Sequence, residues 1–131
     1  MKLVIGGSFQ GKLNYAKKTF GLEEWLDGNT CSGDELFRAR GIVHFHDFIK
    51  RELKAGRSVD GLAEELEEKN PDVVILSNEL GYGVVPVDPF DRKYREAVGR
   101  TCEKLAAFSE EVHRVVCGIC LLYTSDAADD L

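Results

Sequence analysis

Apolar runs alternate along the chain with segments of helical periodicity. Residues 3–5 and 73–76 are short, uninterrupted apolar runs rich in β-branched side chains, which is typical of strands buried on both faces of a sheet. A further run over residues 112–117 predicts a final strand, and residues 23–26 predict a short strand that ends at Asp27. Strands that alternate with helices connect through right-handed crossovers, so the pattern predicts an α/β fold with a mostly parallel sheet and flanking helices.

Helical periodicity is clearest in three segments. It predicts helices over residues 12–20, 59–66 and 90–108, and Asn70-Pro71 closes the second of them. A fourth helix is predicted to begin at the capping box of Ser32 and Glu35 and to run to about Leu53. Five side chains share one face of that helix: Ile42, Phe45, His46, Ile49 and Leu53.

The pattern Gly6-x-x-x-x-Gly11-Lys12 follows a predicted strand and opens a predicted helix, which is the context of a phosphate-binding loop. Its backbone N–H groups and the helix N-terminus favour an anion, and Lys12 is long enough to reach the outer phosphates. Leu13 stands where the motif has a Ser or Thr that binds Mg²⁺. A simple tight turn between strand and helix is the alternative interpretation. The predicted nucleotide-binding residues are Gly6, Gly7, Ser8, Phe9, Gln10, Gly11, Lys12 and Leu13.

Two acidic side chains follow predicted strands. Asp27 ends the short strand, and Glu79 comes just after the strand over residues 73–76. Ligands of open α/β sheets bind at the carboxyl ends of strands, so we predict Asp27 as a Mg²⁺ ligand and Glu79, with Lys12, as catalytic. The alternative for Asp27 is a turn residue in Asp-Gly-Asn.

Composition narrows the class of protein. The chain has 131 residues, 44% of them hydrophobic and 31% charged, which predicts one globular domain. Its net charge of −6 argues against nucleic acid as a partner. No apolar run reaches the roughly 20 residues of a membrane span, and four scattered cysteines with no leader peptide predict a reduced, cytoplasmic protein.

The last residues differ from the rest of the chain. Residues 120–130 resemble a translated sequencing adapter, so we expect a nucleotide-binding domain over 1–119 and a non-native, structureless tail over 120–131. The tail completes the pair Cys117-x-x-Cys120. Because a second pair or a histidine at ligand spacing is absent from the sequence, this pair does not predict a zinc site.

A second loop is the most specific stretch of the sequence. Residues 78–86 read Asn-Glu-Leu-Gly-Tyr-Gly-Val-Val-Pro, and Arg92-x-Tyr94-Arg95 follows a short way beyond. With the Gly-Gly-x-x-x-Gly-Lys loop, this stretch resembles the adenosylcobinamide kinase/adenosylcobinamide-phosphate guanylyltransferase family. The resemblance implies a RecA-like P-loop fold, ATP or GTP as donor with Mg²⁺, a corrinoid substrate and a homo-oligomer. It implies substrate contacts from Asn78, Gly81, Tyr82, Gly83, Pro86, Arg92 and Arg95.

The implied activity is phosphoryl transfer from ATP or GTP to the aminopropanol hydroxyl of adenosylcobinamide. The family also transfers GMP through a histidine in the region that residues 21–71 match poorly, and His44 and His46 are the candidates there. His46 lies on the apolar face and is expected to be packed, whereas His44 lies off it and is expected to face solvent. Two alternatives stay open: a nucleotide- or corrinoid-binding protein without turnover, and a kinase for another small alcohol.

Overall fold

The computed structural model describes residues 1–7, 11–79, 88–116 and 119–124. Its strands are β1 (Lys2–Gly6), β2 (Leu26–Asp27), β3 (Gly41–Val43), β4 (Val74–Asn78), β5 (Glu111–Val116) and β6 (Ile119–Thr124). Its helices are α1 (Lys12–Phe20), α2 (Phe45–Lys54), α3 (Leu62–Lys69) and α4 (Pro89–Phe108), with a short 3₁₀ turn over Asp34–Phe37. Within these ranges, no helix is both long enough and apolar enough to cross a bilayer.

The strands form one six-stranded sheet in the order β2-β3-β4-β1-β5-β6. Neighbours are parallel except β5 and β6, which are antiparallel. This arrangement confirms the α/β prediction with a mostly parallel sheet and flanking helices. Successive residues of β1 point to opposite faces, so Leu3 packs in the larger core beneath α2, α3 and α4, while Val4 packs with Ala16 of α1.

The predicted helix from Ser32 to Leu53 is wrong. The Ser32 N–H does donate to Glu35 Oε1 at 2.9 Å, but only the 3₁₀ turn follows. The chain then enters β3, because β-branched Ile42 and Val43 fill the sheet between β2 and β4. Gly41 begins this strand against Trp25, where a Cβ atom would lie 2.5 Å from the indole Cε3 atom. Tertiary packing thus overrides the helical period, and α2 begins only at Phe45.

The end of the chain also differs from expectation. The last parallel strand ends at Val116, and Ile119–Thr124 form β6 along its free edge instead of a structureless tail. An edge strand offers unpaired N–H and C=O groups, and β6 pairs with those of β5. Val116 and Ile119 are nevertheless exposed, and the described core contains no residue beyond Val115. Cys117 and residues 125–131 lie outside the described residues.

Candidate functional site

A cleft of about 440 Å³ opens at the carboxyl ends of β3 and β4, beside the first turn of α1. The start of α1 forms one wall, and His44, His46, Asp47 and Asn78 contribute polar side chains to the others. A larger hollow of about 770 Å³ lies at the amino ends of β2 and β3, around Trp25. Parallel α/β sheets bind ligands at the carboxyl ends of their strands, so the smaller cleft is the candidate site.

The first turn of α1 is suited to an anion. Gly11 precedes it with φ 81°, a left-handed conformation that glycine adopts without strain. No side chain of the described residues caps the helix, and no acidic residue lies in its first turn. Its backbone N–H groups therefore face the cleft with the positive end of the helix dipole. The predicted loop residues Ser8, Phe9 and Gln10 lie outside the described residues.

Lys12 is held against the loop that precedes it. Its Nζ donates to the carbonyl oxygens of Gly7 at 2.7 Å and Gly6 at 3.3 Å. Burial lowers the pKa of Lys12 below its ordinary value, against the opposing effect of the Glu79 carboxylate. The ammonium group thus lies in a partly desolvated position at the cleft, with only neutral carbonyl oxygens as partners in the described hydrogen bonds. Phosphate oxygens would be stronger acceptors than these carbonyls.

Glu79 follows β4 directly and contacts the two strands β1 and β5. Its N–H donates to Gly6 of β1 at 2.8 Å, and its Oε2 accepts from Arg114 Nε of β5 at 3.1 Å. The sequence analysis identified Glu79 but missed Arg114. Their contact is not visible in sequence, because it depends on the pairing of β1 with both β4 and β5.

Metal-binding side chains are not clustered in the part of the chain that the structure describes. Leu13 lines the cleft and offers no oxygen to a metal. The described ranges also contain no group of three or more His, Cys, Asp or Glu side chains that could hold a metal ion. Mg²⁺ prefers oxygen ligands and keeps several waters, and it is bound through substrate phosphates in many kinases.

Asp27 lies on β2, which β3 and β4 separate from β1. Its Oδ1 accepts from the backbone N–H of Asn29 at 2.9 Å, the Asx turn that the sequence offered as an alternative, and from His44 Nδ1 at 3.0 Å. Burial alone would raise the pKa of Asp27, but these two hydrogen bonds, together with the charges of His44 and Arg51, hold the pKa below its ordinary value. The carboxylate predicted as a Mg²⁺ ligand therefore contacts a histidine that lines the cleft.

His44 links β3 to α2 in an unusual backbone conformation. It has φ 55° and ψ 41°, and no other non-glycine residue in the described ranges has a positive φ. Its side chain is 54% exposed. A left-handed conformation strains most residues, and such residues cluster at functional sites.

His46 is buried and serves a structural contact. Its Nδ1 accepts from the backbone N–H of Asn78 at 3.1 Å, so a neutral imidazole carries its proton on Nε2, 3.6 Å from Asp47 Oδ2. Burial lowers the pKa of His46. This arrangement engages one lone pair of the ring and protonates the other nitrogen, so it presents no nucleophilic nitrogen to the cleft.

Of the predicted substrate residues that the structure describes, Asn78 lines the cleft, and Arg92 and Arg95 do not. Gly81, Tyr82, Gly83 and Pro86 lie outside the described residues. Arg92 and Arg95 lie on α4, where Arg92 is exposed and Arg95 Nε is 3.4 Å from Asp91 Oδ2, one helical turn away. Neither lines the cleft. The sequence analysis missed Asp47, because it places this residue in the middle of a predicted helix. In the structure, α2 begins only two residues before Asp47.

Known proteins match a large part of the chain. The family model described as cobinamide kinase / cobinamide phosphate guanyltransferase matches residues 36–122. The bifunctional adenosylcobalamin biosynthesis protein CobU of Salmonella typhimurium is 45% identical over 47 residues, 36% of this chain and 26% of that protein. The protein of the same name from Escherichia coli is 33% identical over 73 residues, 56% of this chain and 40% of that protein. These matches span well under half the length of either relative.

Proposed function

Because the chain belongs to the cobinamide kinase / cobinamide phosphate guanyltransferase family, we propose that it phosphorylates the aminopropanol hydroxyl of adenosylcobinamide during adenosylcobalamin assembly. The donor is ATP or GTP. The observation that carries this proposal is the position of Lys12, half-buried at a helix N-terminus, in the cleft that Asn78 also lines. Asn78 lies within the segment that matches the family.

The geometry supports a mechanism of positioning and charge neutralisation. An incoming triphosphate would replace the carbonyls of Gly6 and Gly7 as acceptors for Lys12, and the first amides of α1 would receive its oxygens. Phosphoryl transfer needs little covalent chemistry from the protein, so fixed positive charge around the transferred group supplies most of the stabilisation. Glu79 stays a prediction as a catalytic residue, and its contacts with Gly6 and Arg114 support a positioning role.

Mg²⁺ belongs to this proposal as an ion carried by the nucleotide. When bound, it neutralises charge on the phosphate oxygens. Leu13 gives it no ligand, so we expect the phosphates and water to hold it. Asp27 as a metal ligand stays a prediction, and its hydrogen bonds with the Asn29 N–H and His44 Nδ1 support a positioning role instead. We further propose a cytoplasmic homo-oligomer that binds a nucleotide and a corrinoid rather than nucleic acid.

The functional domain in this proposal is residues 1–119. The resemblance of residues 120–130 to adapter sequence supports this boundary, as does the absence of the described side chains of residues 120–123 from the core. The family match extends to residue 122, three residues into the segment that we exclude.

Guanylyl transfer is less well supported for this chain. The curated relatives are named bifunctional, but His46 uses its Nδ1 lone pair on the Asn78 N–H. Of the two candidate histidines in their neutral forms, only His44 has a lone-pair nitrogen that accepts no hydrogen bond among the described residues. A binding protein without turnover is the second candidate function, and Leu13 is the observation that favours it.

The test is product analysis by mass spectrometry. The protein is mixed with adenosylcobinamide, Mg²⁺ and either ATP or GTP. The masses of the corrinoid and of the intact chain are then measured. Phosphorylated corrinoid is the expected product. Lys12→Met should lower kcat/KM at least about 10²-fold, as loss of one preorganised cation at a transition state does. Lys18→Met changes an exposed lysine on the same helix and should leave activity unchanged. Folded protein that binds nucleotide and forms no product would favour the binding protein.

A further inference from the structure

The two histidines of the cleft differ in which ring nitrogen is available. Asp27 accepts a hydrogen bond from His44 Nδ1, so the neutral imidazole carries its proton there and has its lone pair on Nε2. No described residue hydrogen-bonds to that nitrogen. His46 has the opposite tautomer, with its Nδ1 engaged by a backbone N–H. His44 is therefore the histidine whose basic nitrogen is available in the cleft that Lys12 lines.

The backbone around His44 holds its position firmly. The Val43 carbonyl accepts from Gly28 N–H at 2.8 Å, which joins the end of β3 to the loop after Asp27. Arg51 Nη1 fixes the same loop by donating to Gly28 O at 2.8 Å and to Cys31 O at 2.9 Å. Strained conformations persist where surrounding contacts over-determine them, and the left-handed His44 meets that condition. The carboxylate and the imidazole are thus preorganised relative to each other.

We propose that His44, oriented by Asp27, accepts the proton of the substrate hydroxyl during phosphoryl transfer. This assignment rests on the proposed kinase function. His44 is a catalytic residue in this scheme, and Asp27 is a positioning residue that fixes the tautomer and ring orientation. The arrangement follows the logic of a carboxylate-oriented histidine base, in which the carboxylate stabilises the imidazolium without taking its proton.

The step balances without a further reactant. The hydroxyl oxygen forms a bond to the γ-phosphorus as the bond from that phosphorus to the β,γ-bridging oxygen breaks. The nucleoside diphosphate leaves with the bridging oxygen, and the hydroxyl proton passes to His44 Nε2. The imidazolium then pairs with the Asp27 carboxylate until it releases the proton to water, which reaches the half-exposed ring.

Three variants separate this role from a structural one. His44→Gly removes the base and relieves the left-handed strain. His44→Asn keeps an N–H donor for Asp27 in a residue that tolerates this conformation. Both should lower kcat by about 10²- to 10⁴-fold, the usual contribution of a general base, with the KM for nucleotide unchanged. Asp27→Asn should lower kcat by a smaller factor.

Chemical rescue supplies the decisive readout. Added imidazole should raise the kcat of His44→Gly at least tenfold, because the site is open to solvent, and should leave Lys12→Met inactive. Retention of kcat within about threefold by both His44 variants would overturn the assignment while the kinase function stands. Failure of imidazole to rescue folded His44→Gly, or a nucleotide bound covalently to His44, would also overturn it. A wild-type protein that forms no phosphorylated corrinoid would refute both proposals together.

Discussion

Substitution of Gly41 by alanine distinguishes the observed strand from the helix that the sequence predicts. In the structure, a Cβ at residue 41 would lie 2.5 Å from Trp25 Cε3 and 2.7 Å from Leu22 Cδ2. The indole cannot shift freely, because its Nε1 donates to the Leu22 carbonyl at 2.7 Å. The added methyl group would therefore overpack the site.

The observed strand and the predicted helix lead to opposite changes in the free energy of unfolding for Gly41→Ala. Overpacking typically lowers the free energy of unfolding by about 1–3 kcal/mol. In a helix interior, replacing glycine by alanine would instead raise that free energy by roughly 0.5–1 kcal/mol. With a urea m-value of about 1–3 kcal/mol per molar, the strand predicts a midpoint lower by on the order of 1 M.

Urea unfolding of Gly41→Ala, followed by far-UV circular dichroism, measures this difference directly. Trp25 is the sole tryptophan, so its fluorescence reports on the packed site itself. Gly33→Ala is the matched control: Gly33 has φ −61° and ψ −37°, and a Cβ there would meet nothing closer than 4.0 Å. We expect this control to be neutral or slightly stabilising. An unchanged or raised midpoint for Gly41→Ala would refute the packing of β3 against Trp25.

Three further predictions concern stability. Arg51→Met removes two charged hydrogen bonds to the loop after β2 and should lower the free energy of unfolding, measured by thermal unfolding, by about 1–3 kcal/mol. An unchanged free energy of unfolding would show that these hydrogen bonds do not stabilise the fold. Because burial lowers the pKa of His46, the unfolded chain binds the extra proton first as the pH falls through 6.5, so the free energy of unfolding should decrease below that pH. His46→Asn should flatten this decrease, and an identical slope in both proteins would count against it. Leu36→Ala, at a fully buried position, should cost about 2–5 kcal/mol by urea unfolding, and less than 1 kcal/mol would disprove its place in the core.

The elements that the sequence predicts correctly are those whose signals are local. Strand β1 and helix α1 lie close together in the chain, and each carries its own pattern. The same holds for α4, where Asp88 accepts from the Phe90 N–H as an N-cap and Pro89 occupies the first turn.

The failures share a different cause. The segment after Ser32 has the predicted capping contact and a helical period. Nevertheless β3 forms within it, because this extended segment pairs with β2 and β4 and packs against Trp25. The contact of Asp27 with His44 likewise depends on the parallel pairing of β2 with β3. The sequence names both residues as candidates and gives no indication that they meet.

The position of β1 in the sheet also determines when the candidate cleft is completed during synthesis. β1 emerges first from the ribosome, but its neighbours β4 and β5 pair with it from Val74 and Glu111 onward, far later in the chain. β2 and β3 are close together in sequence and need no such wait. Translation adds about 5–20 residues per second, so β1 spends several seconds without its sheet partners. A chaperone that shields short apolar strands would find its earliest target at residues 3–5, and the candidate cleft cannot form until β4, which lines it, has left the tunnel.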